Sequence, residues 1–186
     1  MTEKDFIRCE LLVLSWQRGN CERAAHDLVE LFQRPLLYYV RRLVRSEEDA
    51  WDALQETFMA VLKALKTIRD GRALPAFVYR TARNAALSQQ RRRREEPLVE
   101  DIAETVDEAA ELQLTADEAA DVHRGLELLP LPQRESLTLF FLEDLSIAQI
   151  AELTGVPEGT VKSRLFHAKR ALKRHLGRRL EGGGHE

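Results

Sequence analysis

Apolar residues recur every three to four positions through most of this chain, the period of an amphipathic helix with one face turned to a core. Phe6 to Trp16 follows that period, and Arg18, Gly19 and Asn20 break it. A second helix is expected from about Glu22 to Val44, with Ala25, Leu28, Val29, Leu31 and Phe32 inward; Pro35 predicts a kink or break inside it. Ser46, with Asp49 three residues on, caps a third helix from Glu47 to about Thr67. Its core face takes Ala50, Leu54, Phe58, Val61, Leu62 and Leu65, which leaves Asp52, Gln55, Glu56 and Lys63 over. A turn at Asp70-Gly71 leads through Leu74-Pro75 to a fourth helix ending in Arg91 to Arg94, with Val78, Ala82 and Ala85 as its buried edge.

The pattern resumes near Val122. Val122, Leu126 and Leu129 predict a short helix up to Pro130, and Pro132 in a first turn starts the next, Gln133 to Glu143, with Leu137, Phe140 and Phe141 for the core. Leu145 to Leu176 then reads as two short helices meeting at a tight turn. Ser146 and Gln149 form a capping box, Gly155 stops the first helix in a left-handed conformation, and Pro157 opens the second. Val161, Leu165, Ala168 and Leu172 define the second helix's buried face, so Gly159, Ser163, Phe166, His167, Arg170, Lys173 and Arg174 point outward. This is the pattern of a helix-turn-helix whose second helix enters the major groove.

Charge sharpens the division. The net charge of -3 hides a basic first half, with 18 Lys+Arg against 12 Asp+Glu in residues 1–94, and an acidic stretch of 11 acids and no base in residues 95–123. The stretch from Glu95 to about Asp121 reads as an exposed, flexible linker. Its 27 residues reach about 90 Å when extended, enough to span roughly two turns of duplex. Few aromatics and scarce strand signals make the fold all-α: two small helical domains on either side of that linker, the second a four-helix unit containing the helix-turn-helix. The boundaries fall at 1–94, 95–121 and 122–180, with an unstructured tail at 181–186.

Two helices carry chemistry suited to nucleic acid. From Lys162 to Arg179 there are eight bases and no acid, and about five phosphate contacts would give a slope of roughly 4 to 5 in log affinity against log salt. On the fourth helix Phe77 and Tyr79 are interleaved with Arg80, Arg83, Asn84 and Arg91, which suits single-stranded nucleic acid: bases stack on rings while guanidinium groups hold phosphates. Equally, Phe77 and Tyr79 could belong to the core, with the terminal arginines serving the helix's negative pole. Cys9 and Cys21, in a chain with no signal peptide or bilayer-spanning run, predict free, buried thiols in a reducing cytoplasm; with His26 they make a poor zinc site. No Gly-rich phosphate loop, metal-ligand cluster or nucleophile motif points to an enzyme, and no catalytic residue, metal or cofactor is expected.

The segments EEDAWDALQETFMAVLKAL, LPAFVYRTARNAALSQQRRRR and LPLPQRESLTLFFLEDLSIAQIAELTGVPEGTVKSRLFHAKRAL, in that order around an acidic linker, resemble the bacterial extracytoplasmic-function sigma factors, the small two-domain form of the sigma-70-like family. The resemblance implies a factor that binds core RNA polymerase and directs promoter-specific initiation. By it, Asp52, Gln55, Glu56 and Phe58 dock on the polymerase, and Phe77, Tyr79, Arg80, Arg83, Asn84 and Arg91 take the melted minus-ten strand, with the loop Thr67 to Leu74 around an extruded base. Thr160, Lys162, Ser163, Arg164, His167 and Arg170 would contact the minus-thirty-five duplex. Relatives often carry tryptophan where Phe77 stands, and histidine then arginine where Phe166 and His167 stand. The implied partners are core polymerase, promoter DNA as duplex and single strand, and an anti-sigma factor, with the free chain a monomer and no membrane insertion. The rival reading is a stand-alone helix-turn-helix regulator that binds duplex without polymerase.

Overall fold

The computed structural model describes residues 3–95 and 116–182, and the chain divides into two compact units, Met1–Ala103 and Glu104–Glu186. All regular structure among the described residues is helical.

Unit 1 contains α1 (Glu3–Gln17), α2 (Cys21–Arg41), α3 (Glu47–Ala64) and α4 (Leu74–Glu95), with a single 3-10 turn, Gly71–Ala73, before α4. Successive helices pack on one another, and α4 also reaches α2. Ser46, in extended backbone, accepts the Asp49 N–H at 3.1 Å and so starts α3 where its cap predicts. Of the kink or break expected at Pro35, the break does not occur: α2 is helical through it. Proline removes one donor and costs about 3 kcal/mol in a helix interior. Leu28, Phe32 and Leu36 are fully buried around it, and at about 1.5–3 kcal/mol each they more than offset that loss. The centre of the unit is an edge-to-face pair of buried rings, Tyr39 and Tyr79, with centroids 5.6 Å apart.

Unit 2 contains α5 (Ala116–Glu127), α6 (Leu131–Phe141), α7 (Ile147–Thr154) and α8 (Glu158–Gly182). The long α8 is the spine on which the other three pack. Helix α5 starts before the expected boundary at 122, so the end of the expected linker is helical; α8 likewise runs two residues into the expected tail. The remainder of the linker and of the tail lies outside the described residues. In α6 the core positions are Leu137 and Leu139, whereas Phe140 is half-buried and Phe141 is 47% exposed, a correction to the expected pair. Lys169 sits over the Phe141 ring at 4.7 Å, which gives that aromatic a cationic neighbour in place of a core.

The turn between α7 and α8 is built as its caps predict. Ser146 Oγ accepts the Gln149 N–H at 3.2 Å, and Gln149 Oε1 accepts the Ser146 N–H at 2.9 Å. Gly155 adopts φ 70°, ψ 31° and donates to the Ala151 carbonyl at 2.9 Å. A methyl group there would have open space, so only the left-handed backbone resists a side chain. Gly155→Ala should therefore cost about 1–2 kcal/mol and lower the melting temperature of unit 2 by several degrees in circular dichroism. An unchanged melting curve would mean that the turn relaxes out of this conformation at no cost.

Candidate nucleic-acid and polymerase interfaces

On α4 the buried positions are Leu74, Pro75, Val78, Tyr79, Ala82 and Ala86, so the buried edge runs through Ala86 where Ala85 was expected. Directly opposite, at steps of three and four, stand Phe77, Arg80, Asn84 and Arg91. Arg80, Asn84 and Arg91 are exposed, and Phe77 is half-buried with the Arg80 guanidinium 6.0 Å from its ring centre. Arg83 is partly covered at the flank. Tyr79 leaves the expected strand-binding set. It is fully buried against Tyr39, and no base can stack on it without unfolding the unit. The result is one narrow surface stripe combining a ring face, an amide and cations, with its back welded to the core.

Before α4, the loop Thr67–Leu74 is held in shape locally. The Asp70 carboxylate accepts the Arg72 N–H at 2.9 Å and closes the 3-10 turn, and Thr67 Oγ1 donates to the Ala64 carbonyl at 2.8 Å. Arg69 and Arg72 are exposed on it.

Helix α3 buries Ala50, Ala53, Leu54, Thr57 and Val61 and leaves Asp52, Gln55 and Glu56 exposed; Phe58 is half-buried beside them. Periodicity overlooks two members of this face. Trp51 is 43% exposed and Met59 54% exposed, and with Gln55 they form a ridge at four-residue steps. The signal was present in the sequence as apolar residues left outside the core stripe. Glu56 also faces α4: its Oε1 accepts from Arg92 and from Gln89, each at 3.2 Å. The surface is thus an apolar ridge with an acidic flank, the makeup of a protein-binding face.

On α8 the buried line is Val161, Leu165 and Ala168. Lys162, Ser163, His167 and Arg170 are exposed, whereas Thr160 and Arg164 are partly covered. Phe166 is 57% exposed on the same face, flanked by His167 and with the Arg170 guanidinium 5.5 Å from its ring centre. At the helix start Gly159 is exposed with open space around it, so the backbone there can approach a partner closely.

Cys9 is buried, and that burial, reinforced by the nearby Asp5 carboxylate and opposed by Arg8, pushes its thiol up to about 12. It stays protonated and inert near neutrality. Cys21 is exposed, contrary to the expected buried pair. His26, Asp27 and Glu30 lie close together, but Arg23 pairs with Asp27 at 3.9 Å and Arg8 with Glu30 at 3.3 Å. Each of those carboxylates therefore already has a cationic neighbour.

Residues 28–96 match the family model of Sigma-70 region 2, and residues 119–172 that of Sigma-70, region 4. The RNA polymerase sigma-H factor of Pseudomonas aeruginosa is 33% identical over 178 residues, covering 89% of this chain and 92% of the relative. The ECF RNA polymerase sigma factor SigM of Mycobacterium tuberculosis is 34% identical over 159 residues, covering 84% of this chain and 79% of the relative. Among solved structures, the sigma factor RpoE in complex with the anti-sigma factor NepR from Bartonella quintana aligns with a TM-score of 0.68 at 25% identity, over 82% of this chain and 96% of that one. CnrH, in complex with the cytosolic domain of CnrY, shares the fold with a TM-score of 0.66 at 23% identity, over 91% of this chain and 97% of that one. Two helical units with these faces, matching both sigma regions in order, assign the chain to a family: it belongs to the extracytoplasmic-function sigma factors of RNA polymerase.

Proposed function

We propose that the two units divide the work of promoter-specific initiation between them. Unit 1 docks on core polymerase through Trp51, Asp52, Gln55, Glu56, Phe58 and Met59 of α3. The same unit takes the melted minus-ten strand on Phe77, Arg80, Asn84 and Arg91 of α4, with Arg83 at the rim. Unit 2 reads the minus-thirty-five duplex with α8, where Lys162, Arg164 and Arg170 serve phosphates and Thr160, Ser163 and His167 reach base edges. The observation that carries this reading is the α4 stripe, in which Phe77, Arg80, Asn84 and Arg91 all lie opposite the buried edge. A regulator of duplex DNA has no use for it.

The reading calls for no catalytic residue and no cofactor, since binding free energy alone opens the duplex at a few kcal/mol per unstacked step. It places the chain in the cytoplasm with the polymerase; no helix among the described residues is long and apolar enough to cross a membrane. The Bartonella relative is held by an anti-sigma factor, and a partner of that kind is proposed here for an otherwise monomeric chain.

Run-off transcription on a library of promoter fragments tests the assignment. Purified core polymerase should give template-specific transcripts only with this chain present. The free chain should bind duplex weakly, with a log–log salt slope of roughly 4 to 5. Tight duplex binding by the free chain without any core-dependent transcript would favour the stand-alone regulator.

A further inference from the structure

The first helix is joined to the loop before α4 by more than helix packing. Gly71 is buried against the α1 backbone: a methyl group there would lie 2.4 Å from Glu10 Cα, 2.7 Å from Glu10 N and 3.0 Å from the Cys9 carbonyl carbon. Those are main-chain atoms, which cannot rotate aside as a side chain can. Two further pins flank this contact. The Arg72 guanidinium reaches Glu10 at 3.2 Å and Glu3 at 3.6 Å, so it spans two turns of α1. At the other end of α1, Gln17 Nε2 donates to the Ile68 carbonyl at 3.0 Å. The loop is therefore held along α1 at Ile68, Gly71 and Arg72. Helix α1 itself is anchored by Cys9, Leu12 and Val13 in the core. It lies ahead of residue 28, where the matched region 2 begins.

We infer that α1 is a strut that fixes the geometry of the loop 67–74 and so sets how sharply that loop discriminates the base it receives. The inference rests on the proposed minus-ten role of α4 and the loop. The physical reason is preorganisation. A loop free to adjust would fold itself around any base, spreading affinity evenly, whereas a loop pinned to a rigid helix penalises the base that does not fit. Gln17 and Glu10 are then positioning residues: neither touches DNA, and each acts through the loop backbone. The Arg72 pairs are exposed and weak singly, so the backbone contact at Gly71 and the Gln17 hydrogen bond carry most of the constraint.

The test uses holoenzyme assembled from core polymerase and the full chain, probed with single-stranded minus-ten oligonucleotides varied through all four bases at each position. The chain carries Gln17→Ala, Glu10→Ala together with Gln17→Ala, or Gly71→Ala. The double variant should lower the ratio of best to worst base at one position at least fivefold, with core affinity and melting temperature nearly unchanged. Uniform weakening for all bases would indicate mere destabilisation and overturn the inference. Gly71→Ala should lower that ratio further, with a loss of melting temperature from the backbone clash; should it fail to fold, the changes at half-exposed Glu10 and exposed Gln17 still decide the matter. Arg80→Ala with Asn84→Ala is the reference. If it abolishes oligonucleotide binding while the strut variants discriminate like wild type, α1 is not a strut but the minus-ten reading stands. If the reference variant also binds like wild type, the reading of the α4 face fails, and the strut with it.

Discussion

Tyr79→Ala should strip unit 1 of much of its stability, whereas Phe77→Ala, two residues away, should leave it standing and disable its proposed work. Tyr79 is fully buried and packs its ring edge-to-face on Tyr39. Removing a buried aromatic costs about 3–5 kcal/mol, much of the stability of a small domain, and should lower the melting temperature by well over 10 °C. Phe77 is half-exposed on the opposite side of the helix. Its loss should change the melting temperature little, yet remove about 1–3 kcal/mol of base stacking, a roughly five- to 150-fold weakening for a minus-ten oligonucleotide held by the holoenzyme. Calorimetry and oligonucleotide binding on the two variants separate the roles. A Tyr79→Ala chain with an unchanged melting temperature that merely binds single strands poorly would return that residue to the DNA-facing set.

Trp51→Ala should cost core-polymerase affinity about 2 kcal/mol, roughly thirtyfold. The residue heads the ridge that continues through Gln55 and Met59, and 43% of its surface is open to a partner. Aromatic anchors of this kind, flanked by near-neutral polar contacts, dominate protein interfaces. Gln55→Ala should cost several times less, since an amide on an exposed helix exchanges one set of hydrogen bonds for another with water. Competition for core polymerase with labelled wild-type chain measures both. Equal affinities for Trp51→Ala and wild type would move the docking face off α3.

Much of this was legible in the chain because local rules decide it. The Ser46 and Ser146 caps and the left-handed Gly155 are set by a few neighbours each, and they stand where the sequence puts them. The α8 face follows from one strong apolar stripe. Helix α4 was harder, because Phe77 and Tyr79 are both aromatic and sit 200° apart on a helical wheel. Periodicity left two solutions, and only the cross-helix partner Tyr39 chooses between them. At Pro35 the chain does not break, because the local penalty is outweighed by the packing around it. Phe141 is the converse: its partner is a lysine on α8, a contact between helices far apart in sequence. The seating of Gly71 on α1 could not be read at all, since it depends on two backbones meeting across some sixty residues.

Glu56 gives unit 1 a thermodynamic property of its own. One carboxylate oxygen on α3 holds Arg92 and Gln89 of α4. A polymerase group that claims this oxygen releases Arg92 toward a phosphate, and a phosphate that claims Arg92 releases the oxygen toward polymerase. Reciprocity makes the two effects equal in free energy. For an exposed ion pair the exchange is worth up to about 1 kcal/mol, a few-fold in either equilibrium. With α3 and α4 in their proposed roles, core and melted strand would be mild positive effectors of one another through a single shared hydrogen-bond acceptor.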